Sequence, residues 1–367
     1  MRIAIDARHL SDFHTSNRTY WRELVVAMAS EINGDELLLV TDRPIASGVL
    51  PPGLPVREVV VKAPSSRLWS LFHFPRACRR LGADLAHMQY TVSPLFRIPT
   101  ATTIHDVSFF IDPSWFGMKD RVLLQASVPA SARRAGVVIT VSETCRQESI
   151  RYLHVPAEKV VSTPLGMPSY IAPVDREAAI AHVRGRLGFD SPFVLAVGVL
   201  QPRKNWRLVM RSVAMARQLG SDLQLVIVGR TRDDGEEIDR EIESLNGRDW
   251  IHLAGGVPDE EISYYYSAAE ALIHPSYHEG FGLTPLEAFG CGLPVIASDR
   301  GAIPEVTGDA AILLPPTEPE PWARAIIEVT TTDRGTELRS EGRVRASRFT
   351  WASTARKTRD AYRLALQ

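Results

Sequence analysis

Cysteine is scarce in this chain: Cys78, Cys145 and Cys291 are scattered and odd in number. No disulfide framework follows from them, and a reducing compartment suits them best. Long apolar runs are missing too; nothing approaches the ~20 consecutive apolar residues that span a bilayer. The first residues, Met1-Arg2-Ile3-Ala4-Ile5-Asp6, form a charged strand without the apolar core of a signal peptide. A cytoplasmic protein is expected. Net charge is nearly absent at −1, which argues against a nucleic-acid partner held by bulk electrostatics. Tandem repeats at solenoid periods and low-complexity tracts are also lacking.

What is present is an ordinary globular composition, 45% hydrophobic and 23% charged over 367 residues, enough for two cores. Charge is unevenly placed, with an excess of four positive charges in residues 1–170 and of five negative charges in the remainder. A mildly basic first half suits either plain solvation or a peripheral contact with an acidic membrane face.

Short apolar segments alternate with helical stretches throughout. Strands are expected at 3–6, 36–40, 56–61, 85–89, 101–105, 137–141 and 160–164. Helices are expected at 20–30, 68–81, 119–134 and 143–153. Nearly continuous Val, Ile and Leu strands in a βαβ rhythm mean a parallel sheet covered on both faces. The periodicity lapses at 168–173, a Pro- and Gly-containing linker segment. It resumes with strands at 193–197, 223–228, 251–253, 271–274, 294–297 and 311–314, and helices including 206–219, 259–268 and 321–330.

The most informative stretch is 276–288, Ser-Tyr-His-Glu-Gly-Phe-Gly-Leu-Thr-Pro-Leu-Glu-Ala. Thr284 suits a helix N-cap and Pro285 the first helical position, and Glu287 lies three residues after the cap, as a capping box requires. Gly280 and Gly282 flank Phe281 and leave backbone N–H groups beside the positive end of that helix, where phosphate, carboxylate or sugar hydroxyls bind. An ordinary glycine turn between strand and helix is the competing reading.

Glu279-Gly-Phe-Gly-Leu-Thr-Pro-Leu-Glu287 resembles the E-x7-E signature of the retaining, nucleotide-sugar-dependent glycosyltransferases of family 4, which have the GT-B fold. The continuation from Ala288 to Ser298, then Gly301 and Pro304-Glu305, resembles the same family, as does Gly198-Val-Leu-Gln-Pro-Arg203-Lys204-Asn205 upstream. The resemblance implies two doubly wound, Rossmann-like domains facing across a cleft. Residues 1–170 would form the acceptor side and 171–348 the nucleotide-sugar side, with 349–367 a helix crossing back to the first domain.

Site roles follow from the resemblance residue by residue. Glu279 is implied to accept hydrogen bonds from donor-sugar hydroxyls, while the backbone around Gly280, Phe281, Gly282 and Leu283 holds neighbouring oxygens. Glu287 is implied to take both ribose hydroxyls. Arg203 and Lys204, after Gly198, would stabilise the charge that grows on a departing nucleoside diphosphate. His105 is implied to contact the sugar near its reacting carbon, with Asp106 as an orienting or loop-capping neighbour. One segment departs from the family: where a glycine-rich loop is common, this chain has Thr15-Ser16-Asn17-Arg18-Thr19-Tyr20. Either Asn17 takes the special backbone conformation in a donor contact, with Arg18 adding charge, or that contact is changed.

Metal chemistry finds little support. His274 and His278 are interrupted by Pro275, His278-Glu279 lacks a second His, and Asp233-Asp234 lies in a polar loop. Glycosidase chemistry needs two carboxylates astride the bond, whereas the resemblance implies that Glu279 and Glu287 serve one donor, both in the second domain. The resemblance implies retaining hexosyl transfer to a glycan or lipid-linked acceptor, expected to be metal-independent, with mannose from GDP-mannose as the leading donor because the Gly198–Asn205 pattern resembles polysaccharide mannosyltransferases. A nucleotide-sugar epimerase of the same fold and an inert sugar-nucleotide-binding subunit are the alternatives.

Overall fold

Strands too apolar to face water on either side dictate the architecture. Among the described residues (1–12, 16–30, 34–231 and 235–367 of a computed structural model) they form two wholly parallel sheets. The first contains β1 (Arg2–Asp6), β2 (Glu36–Thr41), β3 (Val56–Val60), β4 (Leu85–Gln89), β5 (Thr100–Ile104), β6 (Val137–Thr140) and β7 (Val160–Ser162), in the order β3-β2-β1-β4-β5-β6-β7. The second contains β8 (Phe193–Val197), β9 (Gln224–Val228), β10 (Ile251–Gly255), β11 (Leu272–His274), β12 (Val295–Ser298) and β13 (Ile312–Leu314), in the order β10-β9-β8-β11-β12-β13. Central strands such as β5, β6 and β12 are buried along their whole length. The edge strand β3 instead exposes Arg57 and Glu58, charges that discourage pairing with a further strand.

Helices cover both sheets. Those around the first are α1 (Ser16–Ser30), α2 (Ser66–Leu68), α3 (Phe74–Arg80), α4 (Ser108–Ile111), α5 (Met118–Arg134) and α6 (Glu143–Leu153). Around the second are α7 (Arg176–Leu187), α8 (Trp206–Gln218), α9 (Gly235–Ser244), α10 (Ile262–Ala268), α11 (Leu283–Gly290), α12 (Ile303–Thr307), α13 (Pro319–Thr331) and α14 (Arg334–Ala346). The last helix, α15 (Trp351–Ala365), packs on α1, β5 and β6. One compact unit is therefore Met1–Gly166 with Thr350–Gln367, and the other is Met167–Phe349.

Residues 167–170, taken with the first domain on sequence, sit in the second unit for local reasons. Met167 N donates to Phe349 O at 3.2 Å, and the Met167 sulfur lies 2.1 Å from where a Cβ on Gly290 would stand. The following segment is fastened to α10, with Ala172 N on Ser263 Oγ at 3.3 Å and Val174 N on Ser267 Oγ at 3.0 Å. Within the first unit, α15 is fixed by Arg359 on Asp35 (2.7 Å) and by Thr354 Oγ1 donating to Pro164 O (2.6 Å).

The helix expected at 68–81 is broken by a π turn at Trp69–His73. Pro75 has no N–H to offer the carbonyl four residues back, and the Ser93 hydroxyl supplies that donor to Leu71 O at 2.7 Å. In the second unit, Val209 and Val213 of α8 and Trp322 and Ile326 of α13 share the core with β8 and β9. Each such side chain contributes roughly 1.5–3 kcal/mol on full burial. Cys78, Cys145 and Cys291 are free and buried. No helix among the described residues is long and apolar enough to cross a membrane. Strand order reverses between β1 and β4 and between β8 and β11, the places where open α/β sheets bind ligands.

Candidate active site

At the β8/β11 reversal two loops are tied together. After β8, Gly198 (φ +143°) presents a bare Cα to the Lys204 side chain; an added Cβ would lie 3.2 Å from Lys204 Cε and 3.4 Å from Nζ. A short 3₁₀ turn, Pro202–Lys204, then ends at Asn205 in the left-handed region (φ 57°). Asn205 is anchored by donating from Nδ2 to Pro316 O at 3.0 Å, and α8 begins at the next residue. After β11, Tyr277 N donates to Arg203 O at 2.9 Å, joining the second loop to that turn.

This junction gathers three of the residues singled out by sequence. Lys204 Nζ donates to Glu279 Oε1 at 2.6 Å and Arg203 Nη1 to Glu279 Oε2 at 2.9 Å. Arg203 also donates to His278 O. The three side chains are only 13–14% exposed, so Glu279 is no solvated turn residue. Its backbone is held from the other side, where Ala302 N donates to Glu279 O at 2.9 Å. Gly301 (φ +57°) leans so closely that a Cβ there would stand 2.6 Å from that oxygen.

Burial alone would raise the Glu279 carboxyl, but Arg203 and Lys204 draw it well below the usual carboxylate range. Burial lowers the Lys204 ammonium, and Glu279 acts against that shift. His274 lies with Nε2 3.6 Å from Glu279 Oε1. Burial, then the Lys204 charge, push its pKa down to about 3, so this is a neutral imidazole and not an ion pair. The cluster is thus two cations around one carboxylate, with positive charge in excess.

Helix α11 begins earlier than expected, and the capping box is not formed. Gly282, at φ +122°, is the N-cap; Thr284 and Pro285 lie inside the first turn. Glycine reaches that backbone conformation without a Cβ penalty, so the chain enters the helix directly after it. Glu287 consequently sits in the second turn, where Oε2 accepts from Tyr266 Oη at 2.7 Å and the carboxylate also takes a hydrogen bond from Tyr170. Burial is the main cause of a pKa raised to about 7, which the Tyr266 bond partly offsets. Leu283 N and Thr284 N have no backbone acceptor among the described residues and mark the positive end of α11. Gly280 and Gly282 are buried beside them. The Phe281 ring is buried edge-on against Phe349, centroids 5.8 Å apart.

The first unit holds the remaining residues. His105 directly follows β5, where its strand was expected to end one residue later. Its ring meets Tyr20 edge-to-face at 4.8 Å, and burial lowers its pKa to about 4, so it is neutral near pH 7. Asp106 caps the next turn, with Oδ1 accepting from Ser108 N (2.9 Å) and Ser108 Oγ (2.5 Å). Asn17 lies in the first turn of α1 and is not among the residues of positive φ, so it does not take the conformation that would replace a glycine. Thr15 of the same loop and the Asp233-Asp234 pair lie outside the described residues. Among the described residues, no three His, Cys, Asp or Glu side chains converge as a metal site. Tyr266 and Tyr170 were not anticipated, because separation in sequence hid them; His274 was weighed only as a metal ligand, and the structure sets it beside Glu279 instead.

Two family profiles cover most of the chain. Glycosyl transferases group 1 matches residues 182–345, and Glycosyltransferase Family 4 matches residues 18–168. O-antigen chain mannosyltransferase B of Escherichia coli is 31% identical over 280 residues, covering 74% of this chain and 73% of that protein. Serotype-specific mannosyltransferase WbdA of Escherichia coli is 28% identical over 244 residues, 65% of this chain but only 30% of WbdA. In fold, the chain superposes on Anabaena HepE, solved with UDP and glucose, with a TM-score of 0.75, 19% identity and 99% coverage of both chains.

Proposed function

The chain belongs to glycosyltransferase family 4 and has the GT-B fold, and from that premise we propose that it transfers mannose from GDP-mannose to a glycan or lipid-linked acceptor, with retention and without a metal ion. The observation that carries this reading is the convergence of Arg203 and Lys204 on Glu279 beside the N-terminus of α11. Fixed cations and bare helix N–H groups in a buried site suit a diphosphate whose charge grows as it leaves. The mannose assignment is supported by the Gly198–Asn205 segment and by the names of the two Escherichia coli mannosyltransferases that the chain resembles. Surface polysaccharide or glycolipid synthesis is the matching role, and a peripheral membrane contact would bring a lipid-linked acceptor within reach.

In this mechanism Arg203, Lys204 and the first turn of α11 hold the diphosphate. Glu279 accepts from hydroxyls of the transferred sugar, and Glu287, once ionised, accepts from the ribose diol. His105, neutral, hydrogen-bonds a sugar hydroxyl. The bond from the anomeric carbon to the leaving phosphate oxygen breaks while the acceptor oxygen bonds on the same face. The acceptor's proton passes to that phosphate oxygen, so no enzymic nucleophile takes part. The test is a panel of nucleotide sugars with a lipid-linked glycan acceptor, the product's anomeric configuration being read by NMR. GDP-mannose giving an α-linked product is expected; transfer only from UDP-sugars, or an inverted product, would overturn the donor or the stereochemical assignment respectively.

A further inference from the structure

Four buried polar side chains of the first unit form a chain that ends against His105. Tyr20 Oη lies 2.8 Å from Thr103 Oγ1, and Thr103 Oγ1 lies 2.7 Å from His87 Nε2. His87 Nδ1 lies 2.7 Å from Tyr362 Oη, and the Tyr362 hydroxyl donates to Met28 Sδ at 3.9 Å. All four residues are fully buried. We propose that Tyr20, Thr103, His87 and Tyr362 are a positioning system for His105, which makes the C-terminal helix α15 part of the reaction machinery without contact with substrate. The proposal rests on the reading that His105 serves the transfer.

Proton counting gives the chain a single direction. The Tyr362 proton goes to the Met28 sulfur, so His87 carries its proton on Nδ1 and donates it to Tyr362 Oη. His87 Nε2 then accepts from Thr103, whose oxygen accepts from Tyr20. The reverse order would leave the Tyr20 proton with no acceptor in a site closed to water. Burial keeps the participants neutral: it lowers His87 to about 3 and raises the Tyr20 and Tyr362 hydroxyls. Trp21 meets the His87 ring edge-on at 4.7 Å and closes the chain from the side.

The consequence falls on His105. Its Nε2 is buried and has no hydrogen-bond partner among the described residues. No polar contact therefore holds that side of the ring. The rings packed on it orient it there: Tyr20 at 4.8 Å and 87°, and Tyr90 at 6.0 Å. Tyr20 is the closer, and its rotation is fixed by the hydroxyl bonded to Thr103. A satisfied chain of buried hydrogen bonds resists displacement as a unit. Because α1, β4, β5 and α15 each contribute a member, loosening α15 loosens the ring that His105 rests on.

Thr103→Val keeps the shape and removes the central hydroxyl, and Thr103→Ser restores it. The measurements are kcat, donor KM and the ring resonance of ¹³Cε1-labelled His105, assigned by its absence in His105→Asn. Thr103→Val should lower kcat about tenfold with donor KM within about twofold, and the His105 resonance should move. Thr103→Ser should return both to near wild type. A folded Thr103→Val protein with wild-type kcat overturns the proposal, as does a Thr103→Ser variant as impaired as the Val variant. If Thr103→Val does not fold, Tyr362→Phe is read by the same criteria. Failure of the transfer reading looks different: the wild type then turns over no nucleotide sugar, while the His105 resonance still reports whether the chain positions it.

Discussion

Lys204 Nζ stands 2.6 Å from Glu279 Oε1. Glu279 is also bound by Arg203 at 2.9 Å, so one carboxylate sets the spacing of two cations. Left alone in a buried site, those cations would repel each other and turn toward solvent. Held by Glu279, they would need no rearrangement to receive the proposed donor diphosphate, which is the condition under which fixed charges accelerate a reaction. Gly198 makes this possible by leaving room for the Lys204 stem.

Lys204→Ala should therefore cost far more turnover than stability. Loss of one donor to developing charge typically lowers kcat about 10²–10³-fold, or about 3–4 kcal/mol. Glu279 retains Arg203, so the fold should survive with a modest fall in Tm. The check is kcat beside a melting curve; near wild-type turnover in a folded variant would make Lys204 a structural counter-ion only.

Glu287→Gln separates stability from binding through pH. The folded pKa of Glu287, about 7, lies above its ordinary 4.5. Between those values the folded state holds a proton that the unfolded state has released, so this group's contribution is fully present below about pH 4.5 and is lost as pH rises through about 7. The Gln variant lacks this titration, and its Tm relative to wild type should climb over that window. Wild-type affinity for nucleoside diphosphate should strengthen over the same range, as the carboxylate able to accept from a diol forms; the Gln variant should bind weakly and without that pH dependence. Equal pH profiles in calorimetry would remove Glu287 from the ribose site.

Gly301→Ala tests the support beneath Glu279. The backbone is left-handed at φ +57°, and the new Cβ would meet Glu279 O at 2.6 Å and Glu279 N at 2.8 Å. Such strain costs about 1–3 kcal/mol, and turnover should fall with Tm because Glu279 must shift. An alanine variant with wild-type kcat would show that the position of Glu279 is not critical.

Turnover should survive exhaustive chelation, since Arg203, Lys204 and the α11 N-terminus supply the positive field a divalent ion would otherwise give. Loss of activity with EDTA, regained on adding Mg²⁺ or Mn²⁺, would count directly against this.

The strands were legible because burial on both faces demands continuous apolar residues, as in Phe193–Val197. Helix α14 was not anticipated: its sequence is rich in charge and carries Gly335 and Gly342. Those glycines are packing features, since a Cβ at Gly342 would lie 2.6 Å from the Phe289 ring. The start of α11 was misplaced because Thr284-Pro285-x-Glu287 satisfies a capping box on paper, whereas the positive φ of Gly282 had already turned the chain. Arg203, Lys204 and Glu279 could be named from their motifs. Their mutual contact could not, nor could Tyr170 and Tyr266 on Glu287, because these meetings depend on which strands lie side by side.

The most direct test of the central claim is calorimetric titration of GDP, with guanosine as the phosphate-free control, into wild type and an Arg203→Ala/Lys204→Ala double variant. Charge-assisted hydrogen bonds are worth about 1.5–3 kcal/mol each, so losing both should weaken GDP binding by about 100-fold or more. Guanosine binding should be unchanged, because it lacks the groups these cations recognise. GDP binding to the double variant with wild-type affinity would contradict the assignment of this cluster to the donor diphosphate.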